Sequence, residues 1–158
     1  MRNSIVRGFR SVLRFGGRDT RSQFWPYAAA AVALYLIVGM PVGIIMLPDD
    51  PGTSLKAVDH FILASVLTFA GLVALLAAAV ARRLHDGGFS AFWGLLPLPF
   101  VAYSITMFVR LASQFETGEP DAQLFFIVFT TNVLYFVALV WLIVLLARRS
   151  VSGPNRFG

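Results

Sequence analysis

The only dense charged segment between two long apolar runs is Arg82-Arg83-Leu84-His85-Asp86. A histidine beside an aspartate could act as a general base, because an imidazole titrates near neutral pH and a carboxylate tunes it. Adjacent residues on a helix do not face each other, so a His85–Asp86 pair needs non-helical backbone. The two arginines could instead bind a phosphate or a carboxylate. This segment therefore offers proton chemistry and anion binding as alternatives.

A structural explanation of the same segment is favoured over both alternatives. Basic side chains suit the end of a membrane helix, where they oppose the negative end of the helix dipole. Residues 82–90 then form the loop to the next span. We expect Gly87 or Gly88 to adopt the left-handed conformation that ends a helix, and Ser90 to cap the helix that follows.

No second set of catalytic or metal-binding residues is visible. The chain has no cysteine, and its two histidines, His60 and His85, fall on opposite sides of the predicted membrane. A zinc site needs three or four such ligands together, and no P-loop, G-x-S-x-G or H-E-x-x-H pattern occurs. We therefore expect no catalytic residue, no metal and no cofactor.

The composition identifies the elements that must position these side chains. Of the 158 residues, 58% are hydrophobic and 13% are charged, whereas a soluble domain has about 25% charged residues. A membrane span needs about 20 apolar residues, so four spans and their connections fill the chain. We predict an all-α, polytopic membrane protein with spans at about 24–47, 60–81, 91–111 and 123–147.

The N-terminal segment, residues 1–21, is basic and precedes the four-helix transmembrane domain, residues 22–158. Placed on a helix, this segment has one apolar face and one basic face; the apolar residues are Ile5, Phe9, Val12 and Leu13, and the basic ones Arg7, Arg10 and Arg14. Such a pattern is typical of a helix that lies in the headgroup layer. We predict an amphipathic interfacial helix that ends at Gly16-Gly17.

The placement of the arginines predicts the topology. Eleven of the twelve arginines, but only two of the eight acids, fall on one side of the four predicted spans. Cytoplasmic segments of membrane proteins are enriched in lysine and arginine, so both termini and the central loop are expected in the cytoplasm. The net charge of +5 follows from this asymmetry, and we expect no nucleic-acid partner.

The cytoplasmic side also holds the candidate functional residues. They are Arg18, Arg21, Arg82, Arg83, His85, Asp86, Asn155 and Arg156. A carboxylate among so many guanidiniums should be paired, and arginine favours a bidentate arrangement. We predict that an Asp86 oxygen lies within about 4 Å of an arginine from another segment, with Arg18 or Arg21 first and Arg156 next.

A second polar group is predicted near the middle of the membrane. One residue from each span falls at this depth: Tyr35, Thr68, Tyr103 and Asn132. Polar side chains in hydrocarbon must find partners, so we expect interhelical hydrogen bonds. A small-solute pathway is the alternative, but ion-coupled pathways usually include a charged residue deep in a span, and this chain has none. The third span should bend, because Pro97 and Pro99 each remove a backbone donor.

Three segments together resemble the family called domain of unknown function 805, small bacterial inner-membrane proteins. They are Gly17–Trp25 (GRDTRSQFW), Ala81–Asp86 (ARRLHD) with Ser90 and Trp93 after it, and Gly153–Gly158 (GPNRFG). The resemblance covers roughly residues 15–158. It implies a polytopic protein of the bacterial inner (plasma) membrane, and it implies no known activity, substrate or catalytic residue.

These observations lead to three functional hypotheses. The first is a non-enzymatic membrane protein whose basic cytoplasmic face binds anionic lipid or a protein partner, including another copy of itself. The second is a small oligomeric transporter or channel. The third, which the sequence favours least, is a membrane-embedded enzyme acting on lipid headgroups, with His85 and Asp86 as its acid–base pair.

Overall fold

The computed structural model describes residues 2–39, 41–42, 55–117 and 121–153. All regular secondary structure in these ranges is helical, which confirms the predicted all-α class. In chain order the helices are α1 (Arg2–Arg10), α2 (Arg21–Leu34), a π-helical segment (Tyr35–Gly39), α3 (Leu55–Asp86), a 3₁₀ helix (Ala91–Leu95), α4 (Leu98–Thr117) and α5 (Ala122–Ala147).

Four helical stretches of the described chain are long and apolar enough to cross a membrane. They are Arg21–Gly39, Ile62–Asp86, Ala91–Gln114 and Ala122–Ala147. Their exposed faces are apolar: on α5, for example, Phe126, Phe136 and Val137 are all exposed. A helix that is apolar on every side belongs inside a large core or a bilayer. The chain is therefore a multi-pass membrane protein with four candidate spans.

The helix of the second span continues to Asp86, five residues past the predicted end at residue 81. This corrects the predicted loop, since residues 82–86 are helical and residues 87–90 make the connection. The reason is electrostatic. Arg82 and Arg83 are buried and bond to nearby carboxylates, so charged residues can remain in the helix instead of ending it.

The third span consists of two helical segments, with Pro97 in the turn between them. The 3₁₀ helix Ala91–Leu95 begins after Ser90, whose hydroxyl accepts a hydrogen bond from the Phe92 amide at 3.4 Å, as predicted for a cap. Pro97 lies in the turn that follows, and α4 begins at Leu98. Pro99 stands in the first turn of α4, where a missing amide donor costs little.

The N-terminal helix is shorter than predicted. Its described part, α1, ends at Arg10, and residues 11–13 form a turn. The carbonyl of Ser11 accepts a hydrogen bond from Arg82 at 2.8 Å, so tertiary contacts direct the backbone here. α1 packs on α2, with Gly8 against the ring of Tyr27. Leu13, expected on the apolar face, is 84% exposed. An interfacial position for this segment stays a prediction.

The buried core lies at one end of the bundle, where α2, α3 and α5 meet. Its residues are Phe24, Tyr27, Ala28, Ala79, Leu84, Leu142, Leu145 and Leu146. Tyr27 also donates a hydrogen bond from its hydroxyl to the Leu75 carbonyl at 2.7 Å, which ties α2 to α3. This packed end is the support on which the charged residues are arranged.

Candidate functional site

Arginines from three separated segments meet at the packed end of the bundle. We call this region the basic end; it comprises residues 7–21, residues 82–86 and residues 148–153. Its two carboxylates, Asp19 and Asp86, are both buried. Each carboxylate bonds one arginine from α3 and one from the N-terminal segment.

The Asp19 cluster consists of Arg7, Asp19 and Arg82. Arg82 donates from Nε to Asp19 Oδ2 at 2.7 Å, and Arg7 donates from Nη2 to Asp19 Oδ1 at 3.2 Å. The other guanidinium nitrogens of Arg82 bond to the Ser11 carbonyl at 2.8 Å, the Ser11 hydroxyl at 3.1 Å and the Arg14 carbonyl. One buried arginine of α3 therefore holds the irregular segment between α1 and α2.

The Asp86 cluster consists of Arg18, Arg83, Asp86 and Ser150. Arg83 Nη1 and the Ser150 hydroxyl both donate to Asp86 Oδ2, and Arg18 Nε donates to Oδ1 at 3.3 Å. This contact confirms the predicted pairing of Asp86 with an arginine from another segment. The pairing with Arg18 is not bidentate, because Nε alone reaches the carboxylate and the two Nη atoms bond elsewhere.

The two Nη atoms of Arg18 hold the chain that follows α5. They donate to the Val151 carbonyl at 2.6 Å and the Gly153 carbonyl at 2.8 Å. The amide of Val151 in turn donates to the Asp86 carbonyl at 3.0 Å. The N-terminal segment, the end of α3 and the C-terminal segment are therefore joined through a single carboxylate and its neighbours.

Arg83 also satisfies the C-terminal end of α5. Its Nε donates to the Leu146 carbonyl at 2.9 Å, and its Nη2 donates to the Arg148 carbonyl. The last carbonyls of a helix have no partner within the helix, so a guanidinium is well suited to bind them. The Arg83 side chain is 0% exposed, which makes it the most enclosed charge at the basic end.

The connection after α3 is a Schellman motif. Gly88 has φ +80°, the Gly88 amide donates to the His85 carbonyl at 3.0 Å, and the Phe89 amide donates to the Leu84 carbonyl at 2.9 Å. Only glycine adopts this φ without strain, so the left-handed residue expected at Gly87 or Gly88 is Gly88. The Arg148 guanidinium lies over the Phe89 ring, 5.4 Å from its centroid, in a cation–π contact.

His85 lies in the last turn of α3 and is half-buried. The backbone is helical through Asp86, so the two side chains leave the helix about 100° apart. The non-helical backbone that a His85–Asp86 pair requires is therefore not found. Arg18, Arg83 and Ser150 bond to the Asp86 carboxylate instead.

The remaining predicted residues of the basic face are not part of these clusters. Arg21 is the first residue of α2 and is exposed. The start of this helix is secured by Gln23, whose Oε1 accepts the Thr20 amide at 3.1 Å. Asn155 and Arg156 lie outside the residues that the structure describes.

The four residues predicted near the midplane have different neighbours, and their common depth stays a prediction. Tyr35 and Thr68 both lie against Gly39, where an added Cβ would be 2.9 Å from Tyr35 Cδ2 and 3.3 Å from Thr68 Cβ. Asn132 donates to the Ser104 hydroxyl at 2.7 Å, which joins α5 to α4. Tyr103 is 48% exposed on the outer side of α4.

Sequence reasoning missed four contributors to these contacts. Ser11, Asp19 and Ser150 complete the arginine clusters, and Ser104 is the partner of Asn132. Asp19 had a visible signal, since it is the other of the two acids on the arginine-rich side. The serines had none, because a small hydroxyl is common in both loops and membrane helices.

A cavity of about 700 Å³ opens at the Asp19 cluster, and we call it the basic cavity. Its walls come from α1, the segment after α1, and Arg82. Five arginines line it: Arg7, Arg10, Arg14, Arg18 and Arg82. Because no described acidic residue lines it, the cavity is cationic. No three His, Cys, Asp or Glu residues of the described chain come together as a metal site.

The model of the family "Protein of unknown function (DUF805)" matches residues 12–158. The match covers nearly the whole chain and includes both arginine clusters apart from Arg7 and Ser11. The chain belongs to this family. Neither a curated protein nor a solved structure matches it.

Proposed function

We propose that this protein is a non-enzymatic protein of the bacterial inner membrane whose basic end faces the cytoplasm and binds anionic phospholipid. The observation that carries the proposal is an excess of arginines at the basic end, whose two carboxylates are already paired with four of them, Arg7, Arg18, Arg82 and Arg83. The surplus positive charge at this end has no protein counterpart on the described chain. The inner leaflet supplies one, because its anionic lipids attract each nearby arginine by about 1 kcal/mol.

The orientation is supported by where the charges fall. The basic end combines the N-terminal segment, the end of α3 and the C-terminal segment, and its residues include nine of the twelve arginines of the sequence. Arg110 lies instead near Asp121, toward the opposite ends of α4 and α5. An excess of arginine on the cytoplasmic side is the usual pattern of bacterial membrane proteins.

Reporter fusions test the orientation. Fusions after residues 88 and 158 should report a cytoplasmic location, and fusions after residues 50 and 118 a periplasmic one, because the four spans alternate in direction. A cytoplasmic signal at residue 50 or 118 would overturn the proposed topology.

A comparison of bilayers tests lipid binding. We would place the purified protein in nanodiscs of phosphatidylglycerol or of phosphatidylcholine with the same acyl chains, and measure the unfolding temperature. A ligand that binds only the folded protein raises this temperature, so phosphatidylglycerol should raise it. The difference should shrink at 1 M salt, where the Debye length falls to about 3 Å. Equal temperatures in the two lipids at low salt would contradict the proposal.

A further inference from the structure

A second, apolar cavity of about 550 Å³ lies within the membrane-spanning part of the protein. We call it the apolar groove. Side chains of α3, the 3₁₀ helix and α5 form most of its walls, and Phe15 from the N-terminal segment also lines it. Among the described residues that line it, only Tyr135 has a polar side-chain atom. The groove is therefore suited to hydrocarbon.

The length of the groove matches one leaflet. Along α3 it extends from Phe69 to Ala81, which is about 18 Å at 1.5 Å per residue. The hydrocarbon core of a bilayer is about 30 Å thick, so the groove spans slightly more than half of it. An acyl chain from the leaflet at the basic end would fill it, whereas a pathway across the membrane would need twice the length.

At two places of the backbone, consecutive residues line the apolar groove and the basic cavity. Arg14 and Gly16 line the basic cavity, while Phe15 between them lines the groove. On α3, Arg82 lines the basic cavity and the preceding residue, Ala81, lines the groove. Since consecutive Cα atoms are about 3.8 Å apart, the charged site and the hydrocarbon site lie close together, as the headgroup and the acyl chains of one phospholipid require.

The basic cavity has positive charge that no carboxylate of the described chain neutralises. Arg82 and Arg7 bond to Asp19, and this carboxylate is already shared between them. The guanidiniums of Arg10 and Arg14 are exposed to solvent and have no hydrogen bond or ion pair with any described residue. Guanidinium groups bind phosphate oxygens with paired, charge-assisted hydrogen bonds, so these two side chains supply what a phosphate would need.

We infer that the two cavities together form a site for one molecule of an anionic phospholipid. The phosphate lies in the basic cavity near Arg10 and Arg14, and one acyl chain lies in the apolar groove along α3. This inference rests on the proposed function and narrows it from a charged surface to a single lipid site. It distinguishes this protein from one that attracts anionic lipid through net charge alone.

Native mass spectrometry with matched variants tests the site. The wild-type protein would be titrated with dioleoyl-phosphatidylglycerol, dioleoyl-phosphatidylcholine and dihexanoyl-phosphatidylglycerol, whose six-carbon chains are too short to occupy the groove. We expect one bound dioleoyl-phosphatidylglycerol at low concentration, and weaker binding of the other two lipids.

The headgroup part is tested by the double variant Arg10→Gln with Arg14→Gln. Losing two contacts of about 1 kcal/mol each should weaken binding of dioleoyl-phosphatidylglycerol by about thirtyfold. The control is Arg21→Gln with Arg149→Gln, which removes the same charge from exposed positions outside the cavity. This control should lose less than about threefold at moderate salt, since neither side chain lines the basic cavity and the screened attraction of distant charges is weak.

The acyl-chain part is tested by Ala77→Phe, which fills the groove from α3. It should weaken binding of the dioleoyl lipid toward that of the dihexanoyl lipid and leave the latter unchanged. Ala74→Phe is the control, because Ala74 is exposed on the same helix and does not line the groove. Leu139→Trp fills the groove from α5 and replaces Ala77→Phe if that protein does not accumulate.

The outcomes separate this site from the general proposal. If the two double-arginine variants lose equal affinity for the lipid, or if filling the groove leaves the affinity unchanged, the attraction is diffuse. Either result would overturn the single lipid site and leave the proposed function standing. Equal binding of phosphatidylglycerol and phosphatidylcholine by the wild-type protein would overturn both. Losses confined to the cavity and groove variants would establish the site.

Discussion

The Asp19 and Asp86 clusters have the same plan and different surroundings. In each, a buried carboxylate bonds one arginine of α3 and one of the N-terminal segment. The α3 arginines are neighbours, Arg82 and Arg83, which leave the helix about 100° apart. Arg82 therefore reaches the N-terminal segment, and Arg83 reaches the C-terminal segment.

The clusters differ in how far they exclude water. In the Asp19 cluster the outer arginine, Arg7, has a side chain that is 52% exposed, whereas Arg18 in the Asp86 cluster is 22% exposed. The Asp86 cluster also joins three segments, while the Asp19 cluster joins the N-terminal segment to α3. Breaking a shielded ion pair costs about 3–5 kcal/mol, and an exposed pair contributes less than about 1 kcal/mol. Since each cluster has two ion pairs, we expect the exclusion of water to determine how much each cluster contributes to the folding free energy.

The largest effect is expected from Arg83→Gln. This change leaves Asp86 with one arginine and removes the donors to the carbonyls of Leu146 and Arg148. We expect a loss of about 3–5 kcal/mol of folding free energy, measured as a lower unfolding temperature in detergent. Arg149→Gln, at an exposed position, serves as the control and should change stability by less than about 0.5 kcal/mol. Similar stability of the two variants would refute the importance of this side chain.

The two carboxylates can be compared directly by Asp86→Asn and Asp19→Asn. Both changes keep the shape and remove the charge. Each change leaves a buried arginine of α3 without its carboxylate, which costs about 3–5 kcal/mol. Asp19→Asn should fall at the lower end of this range, because the second arginine of its cluster, Arg7, is open to solvent. Denaturation of both proteins under one condition gives the order. A greater loss of folding free energy in Asp19→Asn than in Asp86→Asn would show that the Asp19 cluster contributes more to stability.

Packing of α1 supports the Asp19 cluster and can be tested at Gly8. An added Cβ there would overlap the Tyr27 ring, so Gly8→Ala should push α1 away from α2 at a cost of about 1–3 kcal/mol. The matched control is Gly16→Ala, since nothing lies within 4 Å of a Cβ at that position. Cleavage by trypsin after Arg7 and Arg10 should become faster only in Gly8→Ala. Equal cleavage in both variants would show that α1 is not held through this contact.

The smallest effect is expected from Arg7→Gln, which removes the exposed partner of Asp19. The loss should stay below about 1 kcal/mol and should vanish at 1 M salt, because salt screens exposed charges. Thermal unfolding at low and high salt provides the measurement, with Arg83→Gln as the salt-insensitive reference. A large loss that persists at high salt would place Arg7 among the shielded contacts.

Some of the site could be predicted, and the Asp86 pairing shows why. One acid among many arginines must bond to some of them, whatever the fold, so composition and topology were sufficient to predict that Asp86 pairs with an arginine of another segment. The sequence left Arg18 and Arg21 as equal first candidates, and the structure shows that Arg18 makes the contact. The partners of Arg82 and Arg83 could not be predicted, because the second span was expected to end at residue 81 and these two arginines were placed in a loop. Once α3 continues to Asp86, helix geometry separates the two side chains and directs them to different segments.

By itself the sequence determined the all-α class, the four candidate spans and the concentration of arginine on one side, because these depend on the amount and order of apolar and charged residues. The tertiary structure alone decided which arginine meets which acid, that Ser104 is the partner of Asn132, and that consecutive residues line the basic cavity and the apolar groove. The physical reason is that a membrane helix is apolar on every side. Its pattern therefore does not reveal which face packs against a neighbour, and only the packed helices bring side chains from distant segments together.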